Sequence, residues 1–300
     1  MTRLDPELDR IVPPNPKLYK VAAAFTSIGG PVWSDGALCF SDPNENRIYE
    51  YQPDAGLAIF REKSGYDGAD ISDYGQPGSN GLALDSEGRL LAAEHGNRRI
   101  SRIGKGAEVE VLANRYEGKR LDSPNDLVVK SDGSIYFSDP PFGLPGGFED
   151  GAKELPFQGV YRLSPDGTLT LLTKELRAPN GIAFSPDEKT LYVSNAEKDR
   201  AVWVAFDVLE NGTLGARRVF FDGRNGLDRE RRECPMGSTS IGRENLFTAG
   251  PGGIHVFAPD EAHLGSFEIE VPTANTRVGR GISLHRGGDR DLSRASHALS

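Results

Sequence analysis

Residues 125–143 read NDLVVKSDGSIYFSDPPFG, and residues 159–172 continue GVYRLSPDGTLTLL. Leu127 to Val129 form a short apolar run, Asp132-Gly133 supplies a turn, and Ile135 to Phe137 form a second run. A third run follows at 159–163, ahead of a second Asp-Gly turn at 166–167. Short runs rich in β-branched and aromatic residues, bounded by Asp-Gly turns, predict antiparallel strands.

The same content recurs along the chain. PVWSDGALCFSDPNENRIYEY begins at Pro31, NGLALDSEGRLLAAEHGNRRISRI at Asn80, and NGIAFSPDEKTLYVSNAEKDRAVWVAFDV at Asn180. The openers Pro31, Asn80, Asn125 and Asn180 are spaced by 49, 45 and 55 residues, and a further 55 residues reaches Pro235-Met236-Gly237. Each unit carries a strand, a turn (Asp35-Gly36, Glu87-Gly88, Asp132-Gly133, Pro186-Asp187), a second strand and a third. Repeats of about 40–50 residues with three or four antiparallel strands are propeller blades. With 300 residues at about 50 per blade, the expectation is an all-β, six-bladed β-propeller. Residues 1–20 are expected to form an arm on its outside, and 21–300 a single propeller domain.

Composition narrows the class. A net charge of −9 argues against nucleic acid or an anionic membrane as partner. No apolar run is long enough to span a bilayer, and the charged, Pro-rich start lacks the apolar segment of a secretory signal. Cys39 and Cys234, the two cysteines, support neither a disulfide framework nor a Cys-based zinc site, and they fit a reducing cytoplasm.

In a propeller the residue opening each unit converges on the central axis. Here those residues are Asn80, Asn125 and Asn180, with Asp126 beside the second. An Asn before Gly is by itself a turn residue that tolerates positive φ. Three at equivalent positions also bring amide oxygens together, which suits a hard divalent cation, although such a site normally needs a carboxylate. His95, in AEHGNRR, reads either as a surface turn residue or as a polar contact lining the channel. Arg98 and Arg99 read as a solvated strand face, and His255 as packed within a strand. No HExxH, GxSxG or P-loop pattern occurs.

The run from Gln76 to Gly143, together with ELPFQGVYRLSPDGTLTLL, APNGIAFSPDEKTLYVSN and GPGGIHVFAPD, resembles the bacterial gluconolactonases of the SMP-30/gluconolactonase/LRE family. The likeness covers roughly residues 20–275. It implies a six-bladed propeller that hydrolyses a small-molecule sugar lactone with one divalent cation at the channel mouth, Ca²⁺ in the first place and otherwise Zn²⁺ or Mg²⁺. It further implies four metal ligands: the Glu of E-G-P-V-W, the Asn of P-N-D, the Asn of P-N-G and the Asp of P-D-G. Asn125 in Ser123-Pro124-Asn125-Asp126 matches the second, and Asn180 in Pro179-Asn180-Gly181 the third. The first position holds Gly29 and the fourth holds Met236, so both carboxylates are missing and the catalytic position is unassigned. Asn80 and His95, with Asn125, are the expected contacts to sugar hydroxyls.

Around Met236 the pattern fails: CPMGSTSIG, residues 234–242, has no apolar period. Read one base earlier, its degenerate codons permit Pro-Asp-Gly-Val-Asn-Val-Asp-Arg. Read one base later, Ser283 to Ala295 permit an apolar strand pair, whereas the polar run LHRGGDRDLSRASHALS is not expected to form one as it stands. Short shifts of reading frame account for both stretches. Taken literally, the missing carboxylates also suit a non-catalytic binding propeller, and a hydrolase of other lactones or of phosphoesters is a third reading.

Overall fold

The computed structural model describes residues 1–13, 16, 18–104, 106, 108–197, 202–222, 239–242, 245–250, 252–268, 273–278, 282–286 and 295–299, with the backbone alone at 18–21, 239–242 and 273 onward. Blade one comprises Gly29–Ser34, Ala37–Asp42, Arg47–Gln52 and Gly56–Glu62. Blade two is Ser79–Leu84, Leu90–Glu94, Arg99–Ile103 and Val109–Ala113. Leu127–Val129, Ile135–Asp139, Gly159–Leu163 and Leu169–Thr173 make blade three. Blade four is Pro179–Phe184, Thr190–Asn195, Val202–Val208 and Leu214–Asp222. Blade five is Thr239–Gly242, Asn245–Gly250, Gly253–Phe257 and His263–Glu268. Within each blade the strands are antiparallel and ordered as in the chain. Asp35 and Gly36, at φ 48° and 83°, form the kind of two-residue turn that matches strand twist in blade one.

The fold is therefore all-β as expected, but it is a five-bladed propeller and not a six-bladed one. The place of a sixth blade is taken by a sheet joining the two chain ends, in the order Leu18–Ala23, Ala295–Leu299, Ile282–Arg286, Thr273–Val278. It lies between blades five and one. Its last three strands read TANTRV, ISLHR and ASHAL, with only one or two large apolar residues each. The 286–294 stretch between two of its strands reads RGGDRDLSR, which offers almost nothing apolar to bury. The tail thus does form a strand pair, Ile282–Arg286 with Ala295–Leu299, contrary to the expectation from its polarity. Backbone pairing to a neighbouring strand suffices for that, because strand formation depends more on context than on composition.

Between blades, packing follows the two-residue period of a strand. In Ile135–Asp139, Ile135 and Phe137 pack toward blade two with Leu91, Ile100 and Tyr161. Tyr136, between them, packs toward blade four with Ile182, Leu191, Val193 and Val204. Blade four repeats the device: Leu191 and Val193 face blade three, and Tyr192 faces Leu246 and Phe257 of blade five. Each fully buried aliphatic or aromatic side chain contributes about 1.5–3 kcal/mol. A strand with apolar residues on both faces therefore holds two seams at once.

The first residues of the chain add to blade five. Thr2–Arg3 pairs with Ser266 and Gly265 as an outermost fifth strand. The short helix Leu8–Ile11 then buries Leu8, which packs with Val12 against Phe247, Ile254 and Leu264. Leu8→Ala is expected to lower the unfolding free energy by about 2–5 kcal/mol, read by urea denaturation. An unchanged transition midpoint would contradict this packing.

Candidate functional site

The first strands of successive blades lie side by side around the axis, and their starting residues touch through backbone. The Gly81 N–H donates to the Asn125 carbonyl at 2.7 Å. A Cβ on Gly81 would sit 2.6 Å from Asp126 Oδ1 and 2.7 Å from Asp126 Cα, so only glycine allows this approach. Gly30, at φ +52°, faces the Asn80 carbonyl and the Leu82 N–H just as closely. The Asn-Gly pair at 80–81 is thus a contact between blades, not a turn, because Gly81 has no positive φ and lies within a strand. Asn80 and Asn180 are half-buried and Asn125 is 3 % exposed.

Serines at the ends of the second strands fix this alignment. The Ser138 hydroxyl donates to the Asn180 carbonyl at 2.6 Å, and the Gly181 N–H donates to Ser194 Oγ at 2.8 Å. Asp126 Oδ2 accepts from the Ile182 N–H at 3.1 Å, bridging blade three to blade four. The residue after each serine holds the segment entering the first strand of its own blade. Asp42 accepts from the Thr26 N–H at 3.0 Å, Asp139 from Asp122 at 2.8 Å and Asn195 from Ala178 at 2.9 Å. Sequence reading missed this role, although Ser-Asp, Ser-Asp and Ser-Asn at 41–42, 138–139 and 194–195 recur in register with the openers.

His95 is fully buried, so it is not a surface turn residue. Its Nδ1 lies 3.2 Å from the Gln76 carbonyl oxygen and its Nε2 3.2 Å from Asn125 Nδ2. Burial pushes its pKa down to about 4, against the opposing effect of the Gln76 carbonyl, so the ring is neutral at pH 7. A carbonyl only accepts, so Nδ1 carries the proton and Nε2 accepts from the Asn125 amide. Among the described residues no donor bonds Asn125 Oδ1, which is left as the free acceptor of that amide.

Arg98 is also buried, where a solvated strand face was expected. It adopts φ +60°, and its guanidinium donates to the carbonyls of Leu121 and Ala152 at 2.7 and 2.8 Å. Arg99, by contrast, is paired with Glu94 at 2.7 Å and stays partly exposed. Beneath the Asn125 loop lie two fully buried carboxyls, Asp122 and Asp139. Lys153 forms an ion pair with Asp122, yet burial outweighs that pairing and leaves the Asp122 pKa raised. Burial, reinforced by the Asp122 charge, pushes Asp139 up to about 8.

A divalent cation is the group that the resemblance implies, and the donors match it in type: amide oxygens are hard ligands, and that of Asn125 is unshared. They fall short in charge. Among the described residues no three His, Cys, Asp or Glu side chains come together, and Met236 lies outside those residues. At Gly29 a Cβ would run into Asn80 Oδ1, with Asn80 Cγ only 3.1 Å away. The Asn80 amide therefore fills the volume in which a side chain at position 29 would begin.

The chain belongs to the SMP-30/gluconolactonase/LRE-like family, whose model matches residues 29–279. It is 37 % identical over 271 residues to the gluconolactonase of Zymomonas mobilis, covering 88 % of this chain and 76 % of that protein. It is 26 % identical to the pentonolactonase of Haloferax volcanii, covering 88 % and 83 % respectively. A solved gluconolactonase of Xanthomonas campestris superposes with a TM-score of 0.82 at 29 % identity, over 99 % of this chain and 93 % of that one.

The buried pair under the Asn125 loop predicts a pH signature. Asp139 keeps its proton in the folded state up to about 8, whereas the unfolded chain releases it near the ordinary value of 3.8. Folded-state proton retention therefore favours folding fully below that ordinary value, and the advantage is lost as pH rises through about 8. Asp139→Asn, which copies the native Asn195 arrangement, is expected to shrink the fall in unfolding free energy between acidic and mildly basic pH. Urea titrations across that range test it, and an undiminished fall in the variant would contradict the assignment.

Proposed function

We propose that this lactonase opens a sugar lactone at the end of the channel where the first strands begin, using one divalent cation held by Asn125 and Asn180. The observation that carries the reading is the commitment of the Asn125 amide nitrogen to His95, which leaves the amide oxygen as the available ligand. Ca²⁺ is the cation that such oxygen donors favour. When bound, it supplies Lewis acidity toward the lactone carbonyl and lowers the pKa of a bound water.

The residues of the chain do the positioning. Asn125 and Asn180 are carried by neighbouring blades that the Ser138 hydroxyl and the Asp126 carboxylate lock together. Asn80, half-buried beside Gly29, is placed to donate or accept at a sugar hydroxyl. His95 contributes through its bond to Asn125. A lactone is an activated ester, so a water activated by a base is sufficient and no covalent nucleophile is required. The proton acceptor is not assigned among the described residues.

Neutral amides alone hold a hard cation weakly, so the affinity is expected at the weak end, with a Kd on the order of 10⁻⁴–10⁻³ M. Asn125→Ala and Asn180→Ala are each expected to weaken Ca²⁺ binding by calorimetry and to slow gluconolactone hydrolysis in parallel. Gly29→Glu, by adding a carboxylate once the Asn80 amide rotates aside, is expected to tighten binding by about tenfold or more. Unchanged metal dependence in both asparagine variants would contradict the ligand assignment.

A further inference from the structure

We infer that His95 is a positioning residue that holds the Asn125 amide with its oxygen turned toward the channel. The inference rests on the cation reading proposed above and adds to it the group that sets the ligand's orientation. An asparagine side chain presents oxygen or NH₂ according to a half-turn about its last bond, and the two orientations have nearly the same shape. Only a neighbour with a fixed polarity chooses between them.

His95 is such a neighbour. Its Nδ1 faces the Gln76 carbonyl oxygen, so the ring proton resides there, and Nε2 presents a lone pair to Asn125 at 3.2 Å. Turning the amide over would bring Oδ1 against that lone pair, leaving two buried acceptors face to face.

The ring itself cannot turn aside. The His95 N–H donates to the Gly78 carbonyl at 3.2 Å, and its carbonyl accepts from the Arg98 N–H at 3.1 Å. On its other side the backbone of Gly143 packs so closely that a Cβ there would lie 2.6 Å from His95 Cγ. The Gly143 N–H donates to Ser123 Oγ at 2.9 Å, and that hydroxyl donates to the Pro140 carbonyl at 2.6 Å. The segment that clamps His95 is thus bonded to the loop that carries Asn125, and the two side chains share one frame.

Two substitutions separate orientation from packing. His95→Gln keeps an amide oxygen able to accept from Asn125, whereas His95→Leu fills similar space with no acceptor. Calorimetric titration with Ca²⁺, with thermal unfolding recorded alongside, is the experiment. His95→Leu is expected to weaken Ca²⁺ binding 10–100-fold, in the range for residues that orient a metal ligand. His95→Gln is expected to retain most of the wild-type affinity although it unfolds at a similarly lowered temperature. Gly143→Ala, which displaces the ring without changing its chemistry, is expected to weaken binding too, and it decides the matter if His95→Leu does not fold. Wild-type affinity in His95→Leu, or an equal loss in His95→Gln, would overturn the inference while leaving the cation reading intact. A wild-type protein that takes up no Ca²⁺ would overturn the cation reading and this inference with it.

Discussion

The hydrogen bond from the Ser138 hydroxyl to the Asn180 carbonyl, 2.6 Å long, joins blade three to blade four at the axis. Close by, Asp126 accepts the Ile182 N–H through its carboxylate, the Asn125 N–H donates to the Ser138 carbonyl at 2.9 Å, and the Ser138 N–H donates to the Asp126 carbonyl at 3.0 Å. At the two preceding seams, between blades one and two and between blades two and three, backbone approaches backbone just as closely, which glycine at positions 30 and 81 permits and any side chain would prevent. Asn80, Asn125 and Asn180 all lie at these contacts between neighbouring first strands.

Among the described residues no three His, Cys, Asp or Glu side chains come together. Position 29 is a glycine, and the Asn80 amide occupies the place where a side chain there would start. The nearest described carboxylates serve other ends. Asp126 spans two blades, and Asp122 is tied to Lys153. Asp139, deeper still, holds its own proton up to about 8. None of these can turn toward the axis without breaking the support of the loop it stands on. On the proposed reading, a cation held by the neutral amides of Asn125 and Asn180 is bound weakly.

Much of this architecture was legible because the repeats place equivalent residues at equivalent points. Pro31, Asn80, Asn125 and Asn180 mark the starts of first strands because each precedes an apolar run and a turn, and that pattern survives without tertiary information. Blade number was not legible in the same way. Dividing length by repeat spacing gave six, whereas the last stretch of the chain forms a sheet with the Leu18–Ala23 strand, and its sequence carries no further copy of the repeat. Burial of His95 and Arg98 was also hidden, since AEHGNRR looks like a polar turn. The loop at 140–158, which arrives from the next blade, packs against both residues. The serine and acid pairs at 41–42, 138–139 and 194–195 were visible as a repeated word. Their meaning depended on knowing which strand start lay opposite.

The central claim is that the amide oxygens of Asn125 and Asn180 converge on one cation at the channel end. Anomalous diffraction from crystals soaked in Tb³⁺, a hard ion that substitutes for Ca²⁺, tests it most directly. The account predicts a single strong peak within coordination distance of both Oδ1 atoms, with the Asn125 Nδ2 still on His95. A strong peak elsewhere with none at this position, or an Asn125 amide turned to present nitrogen to the ion, would contradict it.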